Sequence, residues 1–173
     1  MLRSKDILIR PISENDITED YLNWLNDKEV NKFLESRFSI INIDNLFKYV
    51  HQIMSNVDVY FFAICLKESG KHIGNIKLGP INNFHNRAEI GLMIGDKNCW
   101  GKGYGKQAIK LITQFAFDSL KLNKVTAGCY STNVASKKSF LTNDFEIEGT
   151  YKNHFLGHDG VWVDLISFSK FNE

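Results

Sequence analysis

The stretch that decides the fold is Trp100-Gly101-Lys102-Gly103-Tyr104-Gly105-Lys106. Before it, residues 87–94 alternate apolar side chains on one face, which predicts a strand, and after it residues 103–120 carry apolar side chains at helical spacing. Alternate glycines allow the main chain to approach a ligand and to turn several N–H groups toward one point. The first turn of a helix adds unpaired amides and the positive end of its dipole. This pattern predicts a phosphate or pyrophosphate site.

Two common phosphate-binding patterns do not fit this turn. A dinucleotide-binding fold has its glycine turn after the first strand, and an acidic residue ends the next strand. Here the turn follows the fourth predicted strand, and the next strand ends in Gly128-Cys129-Tyr130 without a carboxylate. A nucleotide triphosphate loop requires Ser or Thr after Gly-Lys, whereas Gln107 follows Gly105-Lys106.

Outward from the turn, the chain reads as a mixed α/β domain. Runs typical of strands cover residues 6–10, 59–66, 72–78, 87–94, 125–130, 145–151 and 161–168. Runs typical of helices follow Ser13, a candidate N-cap, and cover residues 28–35, 44–54, 103–120 and 134–141. The helix at 103–120 is a crossover between two strands, which is the arrangement of α/β domains.

The composition is that of an ordinary globular chain. Its 173 residues include thirteen Phe and only two Pro, so we expect one domain over residues 1–173 with a full core. A net charge of +1 gives no reason to expect binding to nucleic acid or to acidic membranes. The sequence shows neither a membrane-spanning run nor a secretory signal, so the expected compartment is the cytoplasm.

The three cysteines have no spacing typical of a metal site, and no metal is expected. Cys65 and Cys129 lie in strand-like apolar runs, which favours small, reduced core residues. Cys99 lies beside the glycine turn, where it could be exposed, and a covalent acyl-cysteine is the alternative interpretation.

A wider set of motifs resembles a known family. Gly103-x-Gly105 is followed about thirty residues later by Asn133-x-x-Ser136 and then by Asp144-Phe145. These motifs are similar to those of the GNAT superfamily of N-acetyltransferases, especially its ribosomal-protein alanine acetyltransferase and amino-sugar acetyltransferase branches. The resemblance spans nearly the whole chain. It implies the GNAT fold, with a mixed, mostly antiparallel sheet of about seven strands, helices on both faces, and a fourth and a fifth strand that splay apart.

The resemblance also implies acetyl-CoA as the cofactor. In that family the backbone amides of the glycine turn hold the pyrophosphate, and the pantetheine arm enters the gap between the splayed strands as an added strand. The implied contacts for the pantetheine arm are the backbone of Met93 and Ile94 and the side chain of Asn133, and those for the adenine-side arm are Ser136 and Phe140. The implied pyrophosphate amides are those of Gly101, Lys102, Gly103, Tyr104, Gly105 and Lys106.

The catalytic residues are predicted less directly. Many family members use a Tyr to protonate the leaving thiolate, and Phe140 stands at that position, so Ser139, Tyr130, a water or no acid at all could fill the role. Glu89 on the fourth predicted strand is the candidate base, acting through a water. The alternative interpretation of Glu89 is a surface partner for Arg87.

The acceptor is predicted from the segment that includes Trp24, Phe33 and Arg37. This segment resembles the corresponding one in enzymes that acetylate nucleotide-linked amino sugars, with Arg37 for a phosphate and the two aromatic rings for stacking. Packing in the core is the alternative interpretation of the two rings, because they lie at helical spacing. His154 is a candidate roof of the acceptor site. We therefore predict an N-acetyltransferase that acts on a small-molecule amine, with an amino sugar favoured, as a monomer or homodimer. A protein N-terminus is the rival acceptor, and an acyl-CoA-binding module without turnover is the alternative function.

Overall fold

A computed structural model describes residues 1–172, and within them the chain forms eight strands and four α-helices. In chain order these are β1 (Leu2–Arg3), β2 (Ile7–Pro11), α1 (Glu19–Asn26), α2 (Ile43–Met54), β3 (Tyr60–Leu66), β4 (His72–Leu78), β5 (Arg87–Ile94), α3 (Tyr104–Gln114), β6 (Lys124–Tyr130), α4 (Val134–Leu141), β7 (Glu146–Leu156) and β8 (Trp162–Phe171). A π-helical segment, Phe115–Ser119, continues α3.

The strands form one sheet in the order β1-β2-β3-β4-β5-β6-β8-β7. Its neighbours are antiparallel except β5 and β6, which are parallel. Parallel neighbours require a long crossover connection, and α3 supplies it. The structure thus confirms the mixed, mostly antiparallel sheet of the GNAT fold.

The parallel pair is incomplete. Its register runs from Arg87 opposite Lys124 to Ile90 opposite Ala127, and the remaining half of each strand has no partner across this junction. The second half of β5 keeps its pairing with β4, up to Ile94 opposite Gly74. The predicted splay of these two strands is therefore confirmed, and it opens a gap in the middle of the sheet.

Helices cover both faces of the sheet. Successive strand residues point to opposite faces, and Phe61 and Phe62 on β3 accordingly belong to two different apolar cores. One core contains Ile109 and Ile112 of α3 together with Phe140 of α4. The other core is built from α1 and α2 and includes Tyr21, Trp24, Leu46 and Val50. The candidate site lies on the face of the sheet that α1 and α2 cover.

The predicted elements differ from the structure mainly near the amino terminus. The short strand β1 raises the number of strands from the predicted seven to eight. Ser13 begins a 3₁₀ turn closed by the carboxylate of Asp16, and α1 begins only after Thr18, whose side chain accepts from Tyr21 N–H. The helix predicted at 28–35 is wrong: two 3₁₀ turns, Asn31–Phe33 and Glu35–Phe38, take its place.

The cysteines are reduced core residues. Cys65, Cys99 and Cys129 are free and buried, and burial raises the pKa of each thiol. The exposure considered for Cys99 is wrong, and with it the case for an acyl-cysteine weakens because a raised pKa disfavours the thiolate. Residues 1–172 contain no group of three His, Cys, Asp or Glu side chains suited to a metal ion. None of the helices in this range is long and apolar enough to cross a membrane.

Candidate active site

The glycine turn adopts a conformation that favours glycine. Gly101 and Gly103 have φ of 73° and 77°, and Gly103 is the N-cap of α3. A Cβ atom at either position would meet nothing within 4 Å. The two glycines are therefore required by the backbone conformation, and the open space above them is available to a ligand.

The turn presents a run of unbonded amides. The first backbone hydrogen bond of α3 goes from Gln107 N–H to Gly103 O, at 3.1 Å. Among residues 1–172, no backbone or side-chain group accepts a hydrogen bond from the six N–H groups of residues 101–106. Lys102 and Lys106 are exposed within the same turn and add positive charge. This donor set fits a pyrophosphate, as the sequence predicts.

The gap beside β5 offers further backbone groups. Glu89 O accepts from Gly79 N–H at 2.8 Å, so odd-numbered residues of β5 direct their polar groups toward β4. Alternate strand residues direct them to opposite edges, and Leu92 and Ile94 therefore face the gap. Of the two residues predicted to pair with the pantetheine, Ile94 lies at this edge, whereas the backbone of Met93 faces β4.

The side chain of Trp100 bonds to one of the backbone carbonyls that face the gap. Its indole Nε1–H donates to Ile94 O at 2.8 Å, and its ring is 41% exposed. Three backbone groups at this edge stay free to bond with a ligand in the gap, namely the N–H and C=O of Leu92 and the N–H of Ile94. The bond from Trp100 to Ile94 could not be inferred from the sequence, because a contact to a strand carbonyl leaves no periodic signal.

A cavity of about 460 Å³ lies between β5 and the helices α1 and α2, on the face of the sheet that these helices cover. Gly91, Leu92 and Met93 form part of its wall, and α1, α2 and β3 supply apolar and aromatic side chains such as Tyr21, Tyr49 and Phe61. Its polar wall residues are Glu35, Ser36, Asn45, Asn75 and Lys77. The gap and the cavity therefore share one short segment of β5, residues 91–93. An acyl donor in the gap and an acceptor in the cavity would meet there.

The two glutamates differ in position. Glu89, the predicted base, is exposed and lines a separate depression of about 250 Å³ with Pro80 and Thr126. Glu35 is also exposed, but among the residues described it is the one carboxylate in the wall of the larger cavity. Glu35 was not singled out in the sequence analysis, since the helix predicted at 28–35 makes it an ordinary helix end.

Tyr130 connects the cavity to the end of β6. Its hydroxyl donates to Glu35 Oε1 at 3.5 Å and accepts from Arg37 Nη2 at 3.4 Å. The ring is 4% exposed and stacks on Phe155 with 4.0 Å between centroids. Arg37 also donates to the backbone carbonyl of Leu156. Tyr130 is thus the predicted acid that the structure brings into contact with a cavity residue.

The predicted residues of α4 serve its local structure. Asn133 is the N-cap, since its side chain accepts from Ser136 N–H at 3.1 Å, and Ser139 Oγ donates to Ala135 O at 2.8 Å. Phe140 is 1% exposed and packs on Phe145 in the core. Burial does not favour the predicted contact of Phe140 with the cofactor.

The predicted acceptor residues lie outside the cavity wall. Trp24 is 8% exposed, and a Cβ on Gly95 would come within 2.1 Å of its ring, so Trp24 fills the core below that glycine. Phe33 packs on Tyr130 with 5.5 Å between ring centroids. His154 is exposed and contacts Phe155. Helical spacing alone does not separate a core ring from a ring that lines a site.

A buried polar pair lies behind the cavity. His72 Nε2 is 2.9 Å from Gly74 O and 3.0 Å from Asn75 Oδ1. Burial lowers the pKa of His72, although the bond to Asn75 and the charge of Asp16 act in the opposite direction. Asp16 lies 3.8 Å from His72 Nδ1 and is held by Arg10 through two bonds of 2.6 and 2.7 Å.

Comparison with known proteins identifies a family. A family model described as an acetyltransferase (GNAT) domain matches residues 6–146. The N-acetyltransferase p20 of Bacillus licheniformis is 27% identical over 148 residues, which cover 84% of this chain and 82% of that protein.

Two solved structures share the fold. A spermidine N-acetyltransferase from Vibrio cholerae in complex with CoA and spermine superposes with a TM-score of 0.85, at 19% identity, over 96% of this chain and 95% of the other. A ribosomal-protein alanine acetyltransferase from Vibrio fischeri gives a TM-score of 0.81, at 20% identity, over 99% and 96%.

Proposed function

The chain belongs to the GNAT family of acetyl-CoA-dependent N-acetyltransferases, and we propose that its acceptor is a small-molecule primary amine, in the first place an amino sugar, bound in the cavity beside β5. The observation that carries the proposal is the meeting of gap and cavity at residues 91–93. A donor and an acceptor held on either side of this segment would be correctly placed without large movement.

The donor half of the site follows from the unbonded backbone. We assign the amides of residues 101–106 to the pyrophosphate, and the free edge of Leu92 and Ile94 to the pantetheine arm. When bound, acetyl-CoA supplies a thioester whose carbonyl carbon can be attacked by an amine. Asn133 and Ser136 stay candidates for contacts along the arm.

Glu35 gives the cavity its affinity for an amine. A carboxylate in a largely apolar wall attracts an ammonium group and can accept the proton that an amine loses before it attacks. Tyr130, bonded to Glu35, is the candidate acid on the opposite strand, because its hydroxyl can return a proton to the leaving group. Glu89 and Ser139 are the second candidates for these two roles.

The cavity wall supports an amino sugar over a polyamine. Aromatic rings such as Tyr49 and Phe61 suit the apolar face of a sugar ring, and Ser36, Asn45 and Asn75 suit its hydroxyl groups. The Vibrio cholerae relative acts on spermidine, but a single wall carboxylate, Glu35, would leave the other ammonium groups of a polyamine without partners. An N-terminal alanine, the type of acceptor named for the Vibrio fischeri protein, is the rival.

The test is release of free thiol from acetyl-CoA with a panel of amines. The panel contains amino sugars, free and nucleotide-linked, a peptide with an N-terminal alanine, and spermidine. We expect release with an amino sugar. Release with the peptide alone would move the assignment to the rival acceptor. Binding of acetyl-CoA without release for any amine would instead support a module without turnover, and absence of binding by calorimetry would contradict the donor half of the site.

A further inference from the structure

Asn75 is a cavity residue with an unused donor. Its side chain is 4% exposed and lines the cavity, and its Oδ1 bonds with His72. Among residues 1–172, its Nδ2 has no hydrogen-bond partner. A buried amide that lacks a partner costs free energy of folding, so this donor is expected to serve a ligand.

His72 fixes which way the amide of Asn75 faces. The backbone carbonyl of Gly74 can only accept a hydrogen bond, and its oxygen lies 2.9 Å from His72 Nε2. Nε2 must therefore carry the proton. Asn75 must then present Oδ1 to this N–H, because the flipped amide would set two donors against each other. Nδ2 is consequently turned away from His72.

A second wall residue has the same property. Ser36 Oγ is buried, lines the cavity and lacks a hydrogen-bond partner within the described chain. Ser36 follows Glu35 directly in the same 3₁₀ turn. A hydroxyl that can donate to an oxygen therefore lies next to a carboxylate that can bind an amine. Besides the charged side chains of Glu35 and Lys77, the cavity wall therefore holds two neutral groups without a partner that can donate to an oxygen.

We infer that Asn75, oriented by His72, donates a hydrogen bond to an oxygen that the acceptor carries beside its primary amine, so that the enzyme prefers amines with an adjacent hydroxyl or carbonyl group. This inference rests on the proposed function and deepens it, since it names a residue that determines specificity. Amino sugars and aminoacyl groups share this chemistry, the former through a hydroxyl and the latter through a carbonyl.

Three ring amines test the inference. Cyclohexylamine has no oxygen, trans-2-aminocyclohexanol adds a hydroxyl beside the amine, and trans-2-aminocyclohexanecarboxamide adds a carbonyl. Thiol release gives kcat/KM for each amine with the native enzyme. We expect the preferred oxygen-bearing amine to exceed cyclohexylamine on the order of tenfold, the typical worth of a buried hydrogen bond. Comparison of the aminoalcohol with the aminocarboxamide shows whether the enzyme prefers a hydroxyl or a carbonyl beside the amine.

The variant Asn75→Leu locates the effect. It removes the donor at similar volume and adds no charge to the cavity, so the preference for the oxygen-bearing amines should be lost with a rise in their KM, while cyclohexylamine changes little. Asn23→Leu makes the same change on the exposed face of α1 and should keep the preference. If Asn75→Leu does not fold, Asn75→Ala removes the donor with a smaller side chain.

The outcomes separate the inference from the proposed function. Equal kcat/KM for the three amines, or a preference that survives the change at Asn75, overturns the inference and leaves the proposed function standing. Thiol release from none of the three overturns the inference, and the proposed function then depends on the amino-sugar panel. Loss of preference in Asn75→Leu, with retention in Asn23→Leu, supports the inference.

Discussion

At the scale of single residues, we expect the position of the two glutamates to decide which carboxylate accepts the proton of the amine. Glu35 lines the cavity and is bonded to Tyr130, whereas Glu89 lies in a separate depression. Glu35→Gln is expected to lower kcat by about 10²-fold, the usual contribution of a general base. Glu89→Gln is the matched control and should retain most activity. Thiol-release kinetics at saturating acetyl-CoA measure both, and the reverse order of effects would return the base to Glu89.

The buried His72 makes stability depend on pH. Its folded pKa lies below the ordinary value of 6.5, chiefly because of burial, so the unfolded chain binds more protons just below that pH. The free energy of unfolding should therefore fall as pH decreases from about 7.5 to 5.5. Asp16, whose pKa is held below 3.8 by Arg10 and Ser13 despite its burial, titrates outside this window.

Urea unfolding at several pH values measures this dependence. His72→Gln should flatten the slope between pH 7.5 and 5.5, and His85→Gln, a change on an exposed turn, should leave it unaltered. The comparison uses slopes, because the His72 variant also loses its bonds to Gly74 and Asn75. An unchanged slope in His72→Gln would show that the imidazole is not kept neutral by the fold.

Single-residue roles were the part least accessible from sequence. For Trp24 the sequence left stacking on a ligand and packing in the core both open, and the structure shows its ring in the space below Gly95, seventy-one positions later in the chain. Glu35 and Asn75 reach one cavity from a 3₁₀ turn and from β4, and their relation depends on tertiary packing. Periodicity reports which face of an element is apolar, and it does not report what that face meets.

At the scale of elements, the glycine turn was predictable because its chemistry is local. Glycines with φ of 73° and 77° can be inferred from the alternation of Gly between a strand and a helix, and so can the free amides that follow. The 28–35 segment was predicted incorrectly since its apolar side chains also fit two successive 3₁₀ turns. Short segments of this kind are decided by their neighbours.

The turn can be tested with two matched glycines. Gly103→Ala places a side chain at positive φ and should cost about 1–2 kcal/mol of stability. Relief of that strain would redirect the amides, so the Kd for acetyl-CoA should rise about tenfold, the equivalent of 1.4 kcal/mol. Gly70→Ala, in the β3–β4 turn, has φ of 71° and equally open space. It should lose similar stability and keep its affinity, measured by calorimetry. Equal affinities in both variants would contradict the assignment.

At the scale of the whole molecule, the splayed sheet is what joins the two halves of the site. The crossover by the helix at 103–120 was predictable from the order of the elements. The order of the strands was not, because helices also lie between β2 and β3, which pair antiparallel, and between β6 and β7, which are not neighbours. The point where pairing stops, after Ile90 and Ala127, was implied by the family resemblance alone. No residue type marks it, because both strands continue with ordinary strand-forming side chains.

The splay predicts a pattern of amide protection across the sheet. The N–H groups of Gly91 and Met93 face β4 and should exchange slowly with or without ligand, whereas those of Leu92 and Ile94 face the gap. Acetyl-CoA is expected to slow exchange at Leu92 and Ile94 together with residues 101–106. ADP carries a pyrophosphate without a pantetheine arm and should protect the turn alone, which makes it the matched control ligand. Residue-resolved hydrogen exchange measures all three states. If acetyl-CoA and ADP gave the same protection, or if Leu92 and Ile94 were already slow in the free protein, the gap between β5 and β6 would not be the path of the arm.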